Sequence, residues 1–210
     1  MTSALSVYET GLLSLESTHM VRKCGTRHRL PVSTWMSDAG PADEALLAGC
    51  EGPTLDIGCG PGRLTVALTA RGVPSLGIDV SPLSVQMTIE RGGMAICGDV
   101  FDSVPGFGRW EHILLADGNI GIGGDPLRLL RRCRDLLGPG GDIRLDLQPP
   151  GDGLLTERIR LESRGVISSS FRWCWVGVDA LPAIAASAGL SVADLWQIDD
   201  RWQGRLIPAP

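Results

Sequence analysis

Leu55-Asp56-Ile57-Gly58-Cys59-Gly60-Pro61-Gly62-Arg63-Leu64 is the stretch that decides the fold of this 210-residue chain. Pro53 to Ile57 reads as a short apolar strand, and Leu64, Ala67, Leu68 and Arg71 recur at helical spacing until Gly72 stops the helix. Between them lie glycines at 58, 60 and 62. Glycines at a strand-to-helix turn let backbone approach a ligand closely, and the helix start offers unpaired N–H groups. A nucleotide-like ligand belongs at such a turn, at the carboxyl end of parallel strands.

Outward from the turn, short apolar strands alternate with helical segments, the pattern of a parallel sheet covered on both faces. Strands are expected at Ser75–Val80, Met94–Cys97, His112–Ala116 and Ile143–Leu147, with helices opening at Ser81-Pro82 and Asp125-Pro126. Gly138-Pro139-Gly140-Gly141 is expected as the turn before the fifth strand. That strand alternates Ile143, Leu145 and Leu147 with Asp142, Arg144 and Asp146. A strand buried on both faces is rarely so polar, so it is either partly uncovered or its polar face looks into a site. Leu155–Arg164 and Val166–Val176 read as two strands joined at Ser163-Arg164-Gly165, and Asp179–Ala188 as a helix. Leu190–Ile198 and Arg201–Ile207 then meet at Asp199-Asp200, an antiparallel finish to the sheet. The whole is read as one α/β domain, 1–210. Residues 1–50 form an N-terminal cap segment ending in a helix from Pro41, and 152–177 a hairpin insertion or lid.

Spacing separates the two cofactor classes that use this geometry. Dinucleotide sites favour G-x-G-x-x-G, and the position of their third glycine is Arg63 here. Asp56, just before the turn, suits a cationic ligand and would repel a pyrophosphate. Asp79 ends the second strand, where a carboxylate can accept both hydroxyl protons of a ribose. Asp99 ends the third, placed to meet an adenine amino group.

Asp56-Ile57-Gly58-Cys59-Gly60-Pro61-Gly62 resembles motif I of the class I S-adenosylmethionine-dependent methyltransferases. Gly77-Ile78-Asp79-Val80-Ser81 resembles their ribose-binding strand end, Gly98-Asp99-Val100-Phe101 their adenine-contacting turn, and Leu137 to Gly141 the turn before their fifth strand. Leu114 to Asp125 and Val176 to Gly189 further resemble a small actinobacterial branch of that family. The resemblance covers residues 41–207. It implies a Rossmann-like, doubly wound, seven-stranded mixed sheet with the last strand antiparallel, S-adenosylmethionine as cofactor and S-adenosylhomocysteine as product. The cofactor-binding residues carried over are Asp56, Gly58, Cys59, Gly60, Gly62, Asp79, Val80, Asp99, Val100 and Asp117.

Methyl transfer mainly requires positioning of a nucleophile and exclusion of water. Asp117 and Asn119 follow the fourth strand, where the transferred methyl would lie, and are the catalytic candidates. Asn119 would hydrogen-bond an acceptor, and Asp117 would take a proton or hold the methionine amine. The plainer account is that both residues permit a tight glycine-rich loop. Asp146 is expected to pair with Arg144 or an N-terminal arginine, or else to line the acceptor pocket. Phe171, Trp173 and Trp175 share one face of a strand and are expected mostly in the core, with one ring toward the site. Tyr8, His28 and Trp35 lie in the N-terminal segment, which in similar enzymes often covers the cofactor. His112 is read as structural.

Composition narrows the partners. Hydrophobic residues make up 43% and charged residues 20%, and the net charge is −5, without the basic footprint of a nucleic-acid binder. Arg128, Arg131, Arg132 and Arg134 alternate with leucines as the solvated face of an amphipathic helix. No apolar run is long enough to span a membrane. The six scattered cysteines and the start of the chain, which carries no export signal, point to reduced thiols and the cytoplasm. His19, Cys24 and His28 fit no usual zinc spacing, so no metal is expected. The function expected is methyl transfer to a small-molecule acceptor, with specialised metabolism as a candidate setting. The alternatives are a catalytically silent binding or assembly subunit on the same fold, or a nicotinamide-dependent oxidoreductase. The sequence leaves the oligomeric state open.

Overall fold

The computed structural model describes residues 2–14 and 17–210. Before the glycine motif come α1 (Ala4–Ser14), β1 (His19–Val21), β2 (Arg27–Arg29), α2 (Val32–Met36) and α3 (Pro41–Leu47). The motif opens an alternating run: β3 (Thr54–Ile57), α4 (Arg63–Ala70), β4 (Ser75–Asp79), α5 (Pro82–Glu90), β5 (Ala95–Cys97) and β6 (Trp110–Leu115). A 3-10 turn at Asn119–Gly124 leads to α6 (Pro126–Leu136) and β7 (Leu137–Leu147). The chain closes with β8 (Leu154–Ser163), β9 (Val166–Ile167), β10 (Phe171–Val176), α7 (Leu181–Ser187), β11 (Leu190–Ile198) and β12 (Arg201–Pro208).

Seven strands form one sheet in the order β11-β12-β7-β6-β3-β4-β5. Strands β3 to β7 within it are parallel, and β12 runs antiparallel to both its neighbours. This is the Rossmann-like, doubly wound mixed sheet with its last strand antiparallel. Side chains alternate across it, as the pleat requires. Ile113 and Leu115 join α6 and α7 in one core, whereas Leu114 and Ala116 join α3 and α4 in another. The strand order reverses between β3 and β6, which leaves a crevice at their carboxyl ends.

A second, antiparallel sheet in the order β10-β8-β1-β2, with β9 paired to β8, joins residues from both ends of the chain. Its strands β1 and β2 are three residues each, too short for an alternating pattern to be legible in the sequence. The expected single strand over Val166–Val176 is broken at Ser168–Ser170. There the N-terminal chain intrudes: Thr2 bridges Ser168, Ser169 donates to the Thr2 carbonyl, and Ser168 Oγ takes the Leu161 N–H. No helix among the described residues is long and apolar enough to cross a membrane.

Three further expectations need correction. β7 starts at Leu137 and runs through Gly138–Gly141 rather than turning there, and the pairing of Trp110 with Leu137 is offset by an irregularity before His112. The arginines of α6 are not simply solvated. Arg131 donates to the Ser187 carbonyl, Arg134 to that of Ala188, and Arg132 to those of Val100 and Asp102. Long guanidinium side chains on a helix face reach adjoining loop carbonyls that are otherwise unpaired. The polar face of β7 is also neither uncovered nor turned wholly to a site. Asp142, Arg144 and Asp146 are buried, and Arg144 donates to the Leu46 and Ala48 carbonyls at the end of α3.

Asp142 accepts from His112 Nδ1 at 2.9 Å and from Arg144 at 3.2 Å, which fits the structural reading of His112. Burial pushes the Asp142 carboxyl up, but these hydrogen bonds outweigh it and hold the group below its ordinary value. A depressed carboxylate contributes stability above its unfolded pKa and loses it as pH falls through the folded one. Asp142→Asn should therefore lower the unfolding free energy at neutral pH and flatten its decline through the ordinary carboxylate range. Urea midpoints measured from pH 7 down to pH 3 check both effects.

Candidate active site

The crevice at the β3–β6 switch opens into a cavity of about 470 Å³, within the range of small-molecule sites. Its floor is the glycine turn. Gly58 and Gly62 both hold φ in the left-handed region, at +71° and +88°. A Cβ at Gly58 would lie 2.6 Å from Asn119 Nδ2, and one at Gly62 would lie 2.6 Å from the Thr88 side chain. Only glycine fits either position. Cys59 lends its backbone to the turn, with its thiol directed to Thr88 Oγ1 and the Gly60 carbonyl and its ionisation pushed up by burial.

The strand ends supply the polar groups. Asp79 Oδ2 accepts from Gly60 N at 2.9 Å and Oδ1 from Ser81 N at 2.8 Å. Each oxygen keeps a lone pair for a ligand hydroxyl. Desolvation raises the Asp79 carboxyl, and the backbone donors partly counter it. Asp99 Oδ1 takes the Phe101 N–H, which fixes the carboxylate at the cavity rim. Val80, an apolar side chain left 54% exposed, and the buried Val100 flank the same end. Asp56 is buried at the base of the turn, accepts from Thr65 Oγ1 at 2.8 Å, and is pushed up to about 6 by desolvation.

Asn119 spends its amide on the turn, donating to the Ile57 and Gly58 carbonyls at 2.9 and 3.0 Å. Asp117, with φ +52°, meets Arg63 at 2.5 Å. Desolvation raises its carboxyl, Arg63 pulls it back, and the net direction is up. Arg63 is 4% exposed and also pairs with Asp43 of α3 at 2.7 Å. Asp43 in turn meets Arg201 of β12 at 2.6 Å, and Arg201 meets Asp146 at 2.5 Å. Asp146 closes the ring by accepting the Asp117 backbone N–H at 2.6 Å. Asp146 thus pairs with neither Arg144 nor an N-terminal arginine. Its partner lies on the last strand, which the antiparallel register sets beside β7.

Across from this floor stand the second sheet and the N-terminal helices. Tyr8 and Trp35 line the cavity with their ring centroids 6.1 Å apart, whereas His28 sits exposed on β2. Ser84 Oγ donates to Tyr8 Oη at 3.3 Å, and Glu9 accepts from Ser81 Oγ at 2.8 Å, so α1 is tied to the start of α5. The aromatic row of β10 is not core. Cys174 and Val176 are the buried residues of that strand, while Phe171 and Trp173 line the cavity and Trp175 lies under the Arg22 guanidinium. Sequence reading missed Met20, Leu30 and Leu161 as cavity residues and passed over the partners of Arg63. The available signal was Arg63 itself, a cation in the first turn of a helix, where the macrodipole disfavours it unless acids surround it.

The groups present suit a ligand that offers hydroxyls to Asp79, an amino group to Asp99 and a cation to Asp56 and Asp117. Arg63 Nε, buried without an acceptor among the described residues, leaves a donor unfilled at the floor. Residues 55–145 match the family model described as a methyltransferase domain. A protein named ubiquinone biosynthesis O-methyltransferase, from Cereibacter sphaeroides, is 32% identical over 102 residues, 41% of this chain and 37% of that protein. The chain thus spans well under half the length of that relative. A SAM-dependent methyltransferase from Bacteroides fragilis, solved with S-adenosyl-L-homocysteine, superposes with a TM-score of 0.80 at 22% identity, over 99% of this chain and 94% of the other. The Burkholderia thailandensis 1,6-didemethyltoxoflavin-N1-methyltransferase, solved with its substrate and S-adenosylhomocysteine, gives 0.67 at 16% identity over 98% and 88%. Residues 55–145 are thus similar to a methyltransferase domain, and the chain as a whole shares the fold of these solved methyltransferases.

The ring gives a direct test. Asp43→Ala takes one carboxylate partner from each of two guanidiniums and should cost about 3 kcal/mol, since each lost hydrogen bond between charged groups costs about 1.5–3 kcal/mol. Its neighbour Glu44 pairs with Arg71 at the exposed surface, and Glu44→Ala should change stability by no more than about 0.5 kcal/mol. Chemical denaturation of the two variants side by side distinguishes them.

Proposed function

We propose that this protein transfers a methyl group from S-adenosylmethionine to a small-molecule acceptor. The observation that carries the reading is the set of three carboxylates, Asp56, Asp79 and Asp99, at successive strand ends around one glycine turn and one cavity. S-adenosylmethionine would supply an electrophilic methyl group on a sulfonium centre. Asp79, its carboxylate oriented by Gly60 and Ser81, accepts the ribose hydroxyl protons. Asp99 receives the adenine amino group, with Val80 and Val100 as the apolar faces beside it. Backbone at Gly58, Cys59, Gly60 and Gly62 approaches the methionine portion.

Asp117 has two roles open to it, and its ion pair with Arg63 favours the second: it holds the ammonium group and is a poor proton acceptor while a guanidinium sits on it. Asn119 positions the turn and the acceptor side of the cavity. In this reading the N-terminal 50 residues and the hairpin at 152–177 act as a cap that excludes water from the transfer. The protein acts in the cytoplasm with its six cysteines as free thiols. The acidic floor that suits a sulfonium and an ammonium would repel a pyrophosphate, which disfavours the nicotinamide alternative.

Calorimetric titration with S-adenosylhomocysteine should give micromolar binding that Asp79→Ala abolishes. NADH should give none. No heat from a folded protein would remove the catalytic reading.

Asp56 adds a pH signature. Its raised value means that the ligand-free protein loses stability as pH rises from the ordinary carboxylate range through about 6. A cationic ligand favours the charged form, so binding near pH 6 should release a proton and affinity should rise through that range. Titrations in buffers of different ionisation enthalpy detect the proton, and Asp56→Asn should remove it.

A further inference from the structure

The cavity is divided by chemistry. Its acidic side chains, Asp56, Asp79, Asp99 and Asp117, come from the strand ends of the large sheet, and Arg63 from the helix that follows β3. The opposite wall comes from the second sheet and α2, and its side chains are Met20, Leu30, Trp35, Leu161, Phe171 and Trp173. Arg172 alternates with Phe171 and Trp173 along β10 and borders a separate groove with Asp125 and Leu154, where its guanidinium reaches toward the Gly124 carbonyl at 3.4 Å. Tyr8 also lines the cavity, and its hydroxyl is already joined to Ser84.

A charged substituent brought against this wall would leave water without a counter-ion, which is strongly unfavourable. Rings are favoured. Phe171 and Trp173 meet edge to face at 84° with centroids 6.5 Å apart, offering one ring face and one ring edge at a corner. Trp173 is wedged against Gly121, where a Cβ would lie 2.9 Å from its indole, so the ring is fixed beside the loop that carries Asp117 and Asn119.

The same lining bears on proton transfer. No histidine, lysine or glutamate lines the cavity among the described residues. Asp117 is ion-paired to Arg63, and one Asp56 oxygen is taken by the Thr65 hydroxyl.

We infer that the acceptor is a flat aromatic molecule, uncharged apart from its reacting atom, whose nucleophile is ready without a base from the protein; this rests on the methyltransferase reading above. A hydroxyl acidic enough to ionise in water, or a ring nitrogen with a free lone pair, meets the requirement. For the hydroxyl, the proton passes to water before transfer. The oxygen lone pair then forms the bond to the methyl carbon, while the carbon–sulfur bond breaks and its electron pair stays on sulfur.

The test uses three probes on one ring system: 1-naphthol, its 4-nitro derivative and 1-hydroxy-2-naphthoate. S-adenosylhomocysteine binding is measured first, because its failure sinks the methyltransferase reading and not this inference alone. With that ligand saturating, tryptophan-fluorescence titration should show 1-naphthol binding at least tenfold tighter than the carboxylated probe. Trp173→Ala should lose at least tenfold in naphthol affinity while keeping S-adenosylhomocysteine binding, and Trp173→Phe should stay within threefold. Phe171→Ala replaces Trp173→Ala if the latter fails to fold. Equal or tighter binding of the carboxylate, or no binding of either naphthol to the loaded protein, overturns the inference. With S-adenosylmethionine, transfer to 1-naphthol should climb tenfold per pH unit up to its own ionisation. Transfer to the more acidic nitro probe should already be level at neutral pH. A 1-naphthol profile that levels near neutrality would reveal a base in the protein and overturn the second half.

Discussion

Everything at the floor of this site depends on a closed ring of charge. Asp43, Arg63, Asp117, Asp146 and Arg201 are linked in sequence, with the Asp117 backbone N–H as the closing bond. The ring ties five separate pieces of the chain: α3, the start of α4, the loop after β6, the end of β7 and the start of β12. Hydrophobic packing holds sheet and helices together but is indifferent to small slides along an apolar surface. Directional, charge-assisted bonds are not. The ring therefore fixes where the two loops at the switch point stand relative to each other, and so fixes the shape of the cavity floor.

Charge count matters as much as geometry. Three carboxylates face two guanidiniums in the ring, and Asp56 lies close enough to Arg63 to feel it. The excess is negative. Desolvation raises the carboxyl pKa values of Asp56 and Asp117, and the negative charge of Asp117 beside the first and Asp146 beside the second adds to it. That strain on the ligand-free protein is relieved by a cation, so the floor is electrostatically prepared for one.

The wall opposite is built by other means. Its residues come from α1, the β1–β2 hairpin, α2, β8 and β10, segments separated by more than a hundred residues in sequence. They are held by short antiparallel pairing and by side-chain ties such as Arg22 with Glu157 and Glu9 with Ser81. Such contacts are fewer and more exposed than those of the main sheet, and elements of this kind open at lower free energy than a core. A rigid acidic floor beneath a looser apolar wall divides the labour: one part positions charge and the other accommodates shape.

The sequence by itself determined the alternating strands and helices, the glycine turn, and the acids at 56, 79 and 99. These are local: each depends on a period, a cap or a turn residue within a few positions of itself. The antiparallel finish was legible as well, because Asp199-Asp200 separates two apolar runs. Only the tertiary structure decided where the charges of β7 go, since the partner of Asp146 is 55 residues away and is chosen by strand register. It alone placed Tyr8, Trp35 and Met20 in the cavity and moved Phe171 and Trp173 out of the expected core. A half-buried aromatic looks the same in sequence whether its open side faces a hydrophobic core or a ligand. What separates the two is which distant surface it meets, and no local pattern records that.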